Sequence, residues 1–292
     1  MLSAQERAAF ERDGYVIQRQ LLDAQDLESV RQVIAHSVER RIQVLREQGA
    51  IGQTYGGEPF ERRWARVFAE YSQSPHPAPH LTVWGRHDIL DRVIYDLYTD
   101  PRLTSAATAL IGPAITANGD FWVRPKAPGD QTTTLTWHQD SFYYGGVAAE
   151  HLQVLSVWIP LVDVDVRNGC LKLVPGSHRF GRIPARANQH NHQEPVEAVA
   201  TYGQVVDEPM RMGDVLFFHN HTLHASGENS TDQVRWSIDL RYSPDGQGFD
   251  WHKMGEEFNV HFPCFVAASP DPAQVESWEA WQARWQANLP SN

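Results

Sequence analysis

Histidines and carboxylates at short spacing are weighed first, because imidazole is the commonest protein metal ligand. His138 and Asp140 flank one glutamine at the end of a threonine-rich segment, Gln131–Trp137. If that segment is a strand, positions i and i+2 share a face and stand about 7 Å apart at the backbone. A lone His-x-Asp arises by chance, so a third ligand is required. The segment His219-Asn-His-Thr-Leu-His224 offers His219, His221 and His224. Their differing parity prevents all three from facing one cavity in an extended chain. One of them joined to His138 and Asp140 makes a two-histidine, one-carboxylate set, which suits Fe(II) and leaves positions open for dioxygen and a co-substrate. The competing reading is a solvated histidine hairpin with His138 at the surface. Arg235 lies eleven residues beyond His224, and a guanidinium beside a metal can grip a carboxylate through two parallel hydrogen bonds. Ser226, two residues after His224, is placed to add a hydroxyl. Arg241 competes for the arginine role, and an ordinary cross-strand charge is the plainer alternative.

These side chains need a frame. Ser3 and Glu6 form a capping box that opens a helix running to about Asp13, and Gly14 ends it before a strand, Tyr15–Leu22. From Asp23 to Gln48, Leu27, Val30, Val33, Ile34, Val38, Ile42 and Leu45 recur at helical spacing, with Gly49 closing the helix. A loop at Gly52–Gly57 and a proline-bearing stretch, Ser72–Pro79, precede two further helices, Asp88–Tyr98 and Arg102–Leu110. Beyond Pro113 the texture changes. Short apolar segments (Thr116–Arg124, Leu152–Leu161, Cys170–Val174, Asp214–Phe218, Val234–Tyr242) alternate with turn residues, the pattern of an antiparallel sandwich or barrel. Trp278, Trp281 and Trp285 predict a terminal helix over Glu276–Asn288. The expectation is one domain over 1–292: helical support to 112, a β core over 113–245, and an extension over 246–292.

Composition narrows the function classes. With 41% hydrophobic and 21% charged residues, the 292-residue chain has the makings of an ordinary globular core. Its 25 Lys and Arg against 36 Asp and Glu leave a net charge of −11. That balance weighs against nucleic acid or anionic membranes as partners. No apolar run reaches the roughly 18 residues of a membrane span, and Met-Leu-Ser-Ala-Gln-Glu-Arg is not a secretory opening. Two cysteines, Cys170 and Cys264, make no disulfide framework and favour a cytoplasmic location.

Read in order, the motifs resemble one family. His138-Gln-Asp140, Val157-Trp-Ile-Pro-Leu161, Asn168-Gly-Cys-Leu171, Val174-Pro-Gly-Ser-His178, His224-x-Ser226 and Arg235 resemble the phytanoyl-CoA dioxygenase family, as does the opening Phe10–Ile17. The resemblance runs from about Ser3 to Tyr242. It implies a double-stranded β-helix (a jelly-roll, cupin-like core) and an enzyme using Fe(II), 2-oxoglutarate and O2. His138, Asp140 and His224 match that family's iron ligands, and Arg235 and Ser226 its grip on the distal carboxylate of 2-oxoglutarate. Trp158 matches a tryptophan along the co-substrate. Trp122 stands where the family has a Met and is counted with the co-substrate contacts. The implied reaction is oxidation of a C–H bond in a small molecule, with release of succinate and carbon dioxide. Related halogenases replace the carboxylate ligand with a small residue, so Asp140 favours hydroxylation. The alternative is a non-catalytic, metal-containing cupin-like binding protein. Phe142, Tyr143 and Tyr144 are candidates for the pocket wall, Arg124 and Lys126 for an anionic group or solvent. His178, His219, His221 and Cys170 read as structural.

Overall fold

Residues 2–75, 84, 89–130, 133–144, 151–189, 192–247 and 263–287 are described in a computed structural model. The expected proline-bearing stretch beyond Pro75, the Asp88 helix start, Gln131-Thr132 and the terminal Asn288 fall outside them.

Helices form where the sequence signals them. Helix α1 (Ala4–Asp13) opens on the Ser3–Glu6 capping box and ends at Gly14, whose φ is 78°. Helix α2 (Ala24–Glu47) is capped by Asp23 and buries Leu27, Val30, Ile34, Val38, Ile42 and Leu45 along one stripe. Helix α3 (Phe60–Tyr71) falls in a stretch to which the sequence reading assigned no element, although Trp64, Val67 and Tyr71 recur at helical spacing and are buried. Helices α4 (Arg92–Tyr98) and α5 (Pro101–Ile111) follow, α5 with proline in its first turn, where no N–H is missed. Helix α6 (Trp278–Ala287) buries Trp281 and Trp285, and the Trp281 indole N–H donates to the Pro263 carbonyl at 2.6 Å.

The strands are β1 (Tyr15–Gln18), β2 (Ile115–Ala117), β3 (Trp122–Lys126), β4 (Leu155–Pro160), β5 (Leu171–Leu173), β6 (Ala185–Ala187), β7 (Gln193–Pro195), β8 (Val206–Glu208), β9 (Val215–His219), β10 (His224–Ser226), β11 (Arg235–Pro244) and β12 (Phe265–Ala268). One antiparallel sheet runs β1-β9-β4-β11-β2-β12, with β3 also paired to β11; a smaller sheet runs β10-β5-β8, and β6 and β7 form a separate pair. This is the expected mostly-β jelly roll with flanking helices. Two segments differ from expectation. The predicted strand Thr116–Arg124 is two strands, β2 and β3, with 118–121 between them, because β11 is long enough to pair with each in turn. Tyr15–Leu22 stops at Gln18 and turns through Gln20, a non-glycine residue with φ of 52°.

Strand β11 carries the logic of the site. Trp236, Ile238, Leu240 and Tyr242 are fully buried on one face; Arg235, Ser237, Asp239, Arg241 and Ser243 are nearly as buried on the other. The apolar face packs on the helical layer, Trp236 meeting the rings of Phe60 and Trp84 at 5.2 Å. A strand buried on both faces yet polar on one must point that face into a polar cavity.

Candidate metal and co-substrate site

His138 is not in a continuous strand. It forms an isolated bridge to His224, each N–H donating to the other's carbonyl at 2.9 Å, and Asp140 opens a 3₁₀ turn that runs to Tyr143. This corrects the expected strand pairing of His138 with Asp140. The bridge juxtaposes the imidazoles at 4.2 Å between centroids, and the turn swings the carboxylate between them. Asp140 Oδ1 lies 3.7 Å from Nε2 of both His138 and His224. All three ligand atoms fall within 4.8 Å of one another, the one such cluster among the described residues.

The surroundings fix each ligand atom. His138 Nδ1 donates to the Thr136 carbonyl at 2.7 Å and His224 Nδ1 to the Thr222 carbonyl at 2.9 Å, roles inferred from the network. Both Nε2 lone pairs therefore face the cluster. Burial, with the neighbouring imidazole, pushes His138 down to about 3, and burial lowers His224 too, so both stay neutral as ligation requires. Asp140 Oδ2 accepts from Ser156 Oγ at 2.5 Å and faces Arg241 at 3.5 Å, leaving Oδ1 for the metal. Burial alone would raise this carboxyl, but Arg241, the two imidazoles and Ser156 together hold it well below the usual range. Two neutral imidazoles and an ionised carboxylate fit a divalent iron.

A narrow cavity runs from these three residues past Trp158 and Leu171 to Ser226 and Arg235. Arg235 is 3% exposed. Its Nη1 donates to Ser237 Oγ at 2.6 Å, its guanidinium lies 5.6 Å over the Trp158 ring, and its Nε has no partner. Burial and Arg124 push it down to about 10. No carboxylate lies within 4 Å of it among the described residues. Arg241 differs: Asp120, Asp140 and Asp239 all lie within 3.7 Å of its guanidinium. Its charge is already met inside the protein, whereas that of Arg235 is not matched by an ion pair among the described residues.

The remaining predicted residues separate cleanly. Trp122 does not line the cavity: it lies under Arg124, 4.9 Å from the guanidinium. It is four positions up the strand from Lys126, or about 13 Å. Phe142 and Tyr144 are buried in small apolar clusters, whereas Tyr143 is 38% exposed with its ring 5.9 Å from His138. His178 bonds the Glu11 carbonyl, and His219 and His221 stack beside it, away from the cavity walls. Cys170 is buried, its thiol pushed up to about 11 by burial. Arg124 pairs with Asp239 at 3.1 Å, and Lys126 is buried from solvent, with no carboxylate in ion-pairing distance among the described residues. Sequence reasoning missed Ser156 and Ser237, small hydroxyl residues with no local signature. A separate cleft of about 960 Å³ beside Arg19, Asp163 and Arg211 lies elsewhere, and no histidine or cysteine lines it.

The phytanoyl-CoA dioxygenase family profile matches residues 10–237. The chain belongs to this family. It is 24% identical over 254 residues to a probable phytanoyl-CoA dioxygenase of Caenorhabditis elegans, covering 84% of this chain and 76% of that one. It is also 24% identical over 300 residues to the ectoine dioxygenase of Bordetella parapertussis, covering 97% and 84%. Among solved structures, the epimerase SnoN in complex with Fe3+, alpha-ketoglutarate and nogalamycin RO shares the fold at a TM-score of 0.55, with 23% identity and 82% of each chain covered. The family is one of iron- and 2-oxoglutarate-dependent oxygenases, and the His138, Asp140 and His224 cluster has the donor set that iron requires. Among the described residues, no helix is long and apolar enough to cross a membrane.

Proposed function

We propose that this oxygenase hydroxylates, or otherwise oxidises, a C–H bond of a small molecule. In this reading His138, Asp140 and His224 hold Fe(II), and Arg235 with Ser226 takes the distal carboxylate of 2-oxoglutarate. The observation that carries it is the contrast between Arg241, ringed by three carboxylates, and buried Arg235, which among the described residues has no carboxylate within ion-pairing distance, at the far end of the cavity from the triad. A buried guanidinium without a counter-ion is costly, and a dianionic co-substrate supplies one. When bound, iron and 2-oxoglutarate furnish the oxidising chemistry, with dioxygen consumed and succinate and carbon dioxide released.

The protein's own part is positional. Ser156 and Arg241 keep Asp140 ionised and aim Oδ1; the Thr136 and Thr222 carbonyls keep both Nε2 atoms unprotonated. Trp158 walls the co-substrate against Arg235, and the buried surroundings exclude water. Arg124 lines the cavity, and Tyr143 is exposed with its ring beside His138; both are candidates to meet a docking substrate. A carboxylate ligand occupies the position that halide would need, which favours hydroxylation.

Asp140→Ala tests the reading. The variant should keep its circular dichroism spectrum, lose Co(II) binding in anaerobic titration, and form no succinate from 2-oxoglutarate. Wild-type metal affinity in that variant would remove Asp140 from the site.

A further inference from the structure

Arg124 is the part-exposed arginine of the cavity wall: its side chain is 30% exposed, whereas Arg235 and Arg241 are buried. In the β3–β11 register it pairs with Ser237, one step nearer the metal end than the pairing of Lys126 with Arg235. Its Nε donates to both oxygens of Asp239, at 3.2 and 3.3 Å, and its Nη2 donates to Oδ2 at 3.1 Å. Trp122 lies 4.9 Å from the guanidinium and steadies its plane. One edge of the fork is therefore held by a buried carboxylate. Arginine has five N–H donors, so both protons of Nη1 and one of Nη2 remain, and among the described residues Nη1 has no hydrogen-bond partner. Asp239 does not depend on Arg124 alone, because Arg241 lies 3.4 Å from the same oxygen.

Charge in the wall points the same way. Among the described residues that line the cavity, Arg124, Arg235 and Arg241 face two carboxylates, Asp140 and Asp239. Behind them, the Asp120 carboxylate and the Lys126 ammonium are one charge of each sign. A divalent iron and a dianionic 2-oxoglutarate cancel, so the occupied cavity keeps one positive charge in excess, inside a chain whose net charge is −11. A guanidinium fixed along one edge and open along the other can take a carboxylate or phosphonate through two parallel hydrogen bonds. His138, Asp140 and His224 line the same cavity, so an anion seated on Arg124 brings the rest of a small molecule beside the metal. The exposed Tyr143 ring, 5.9 Å from that of His138, offers an apolar face there.

We propose that the substrate oxidised here is a small organic acid, a carboxylate or phosphonate, whose anionic group docks on the open edge of Arg124, and that Arg124 is the residue that selects it. The proposal rests on the reading of the site as an iron- and 2-oxoglutarate-dependent oxygenase. It adds the charge of the substrate and the side chain that reads it.

The test uses the full chain, loaded anaerobically with Fe(II) and saturating 2-oxoglutarate. The probes are hexanoate, benzoate and phenylacetate, their primary amides, and hexyl- and phenylphosphonate. Binding is read from the shift of the visible charge-transfer band and checked by the succinate formed once O2 is admitted. A charge-assisted hydrogen bond corresponds to about a tenfold to hundredfold effect. An acid or phosphonate should therefore bind more tightly than the matching amide by that factor, and Arg124→Gln should bring the two together. Which anion binds more tightly separates a carboxylic from a phosphonic substrate. An anion-to-amide ratio near one in wild type would overturn the proposal, as would a ratio that survives in Arg124→Gln. So would a loss of 2-oxoglutarate affinity in Arg124→Gln as large as the loss in the ratio, which would make Arg124 a co-substrate residue. No band in wild type would instead remove the oxygenase reading, and this proposal with it. Should Arg124→Gln fail to fold, combining it with Asp239→Asn removes both charges of the pair, and the same ratio decides.

Discussion

The two ends of the cavity are built on opposite principles. At the metal end the charges are met within the protein: Asp140 is held by Ser156 and Arg241, both imidazoles by carbonyls, and Arg241 by three carboxylates. At the far end Arg235 and Lys126 are buried cations at paired positions of neighbouring strands, with no counter-charge within ion-pairing distance among the described residues. The metal end is preorganised by satisfied hydrogen bonds. The far end is preorganised by an unmet need for negative charge. Both ends draw on alternate residues of one strand, β11, so the difference lies in which partners surround each arginine.

If this contrast is right, removing each arginine should have opposite consequences for stability and ligand affinity. The largest effect belongs to Arg241→Met, which strands Asp120, Asp140 and Asp239 without their cation. Breaking a buried pair from one side costs about 3–5 kcal/mol, so thermal unfolding should show a fall of many degrees, with the 2-oxoglutarate preference over 2-oxobutyrate retained in whatever protein folds. A stable Arg241→Met variant would mean that the metal end is not held as described.

Arg235→Met should do the reverse. It removes a buried charge with no partner, so the cofactor-free protein should be as stable as wild type or more stable by about 1 kcal/mol. 2-Oxoglutarate should raise the melting temperature of the metal-loaded wild type and not that of the metal-loaded variant. A destabilised apo protein that still responds to 2-oxoglutarate would break the comparison.

A smaller effect is expected from pH. Burial, then Arg235, pushes Lys126 down to about 7, with Asp130 and Glu228 opposing at longer range. Its folded value lies below its unfolded one near 10.4, so the folded chain binds fewer protons between them. The sign of the linkage is then that stability from this group rises as pH climbs from about 7 toward 10, while affinity for the dianionic co-substrate falls as the ammonium is lost. The difference in unfolding free energy between wild type and Lys126→Met, followed across that range, checks the first; 2-oxoglutarate titrations at the two ends check the second. The smallest effect is predicted for Trp122→Leu, which should leave 2-oxoglutarate affinity unchanged, because Trp122 supports Arg124 and does not line the cavity.

The sequence disclosed the frame where local signals are strong. Capping boxes at Ser3 and Asp23 and the apolar stripe of α2 marked the first helices, and tryptophan spacing marked the last. The iron-binding trio was legible from motif order, not from geometry: the expected strand through His138 and Asp140 is a bridge followed by a 3₁₀ turn. Choosing Arg235 over Arg241 required the resemblance, since both occupy the same face of β11. Their surroundings separate them, and those come from Asp120 and Asp140, more than 90 residues away in sequence. Lys126 was named as a candidate for an anionic group or solvent, and the choice between them was illegible for the same reason. Its acceptors Ser226 and Gly227 lie about a hundred residues along the chain, and nothing local distinguishes a buried lysine from an exposed one.

The central claim is that this chain chelates 2-oxoglutarate between a His-Asp-His iron and Arg235. Anaerobic titration of the Fe(II)-loaded protein with 2-oxoglutarate, followed by visible absorption, tests it most directly. The account predicts a weak charge-transfer band that saturates in wild type, needs much higher 2-oxoglutarate in Arg235→Ala, and is absent in Asp140→Ala. Iron bound with no band in wild type, or a band that saturates identically in Arg235→Ala, would contradict it.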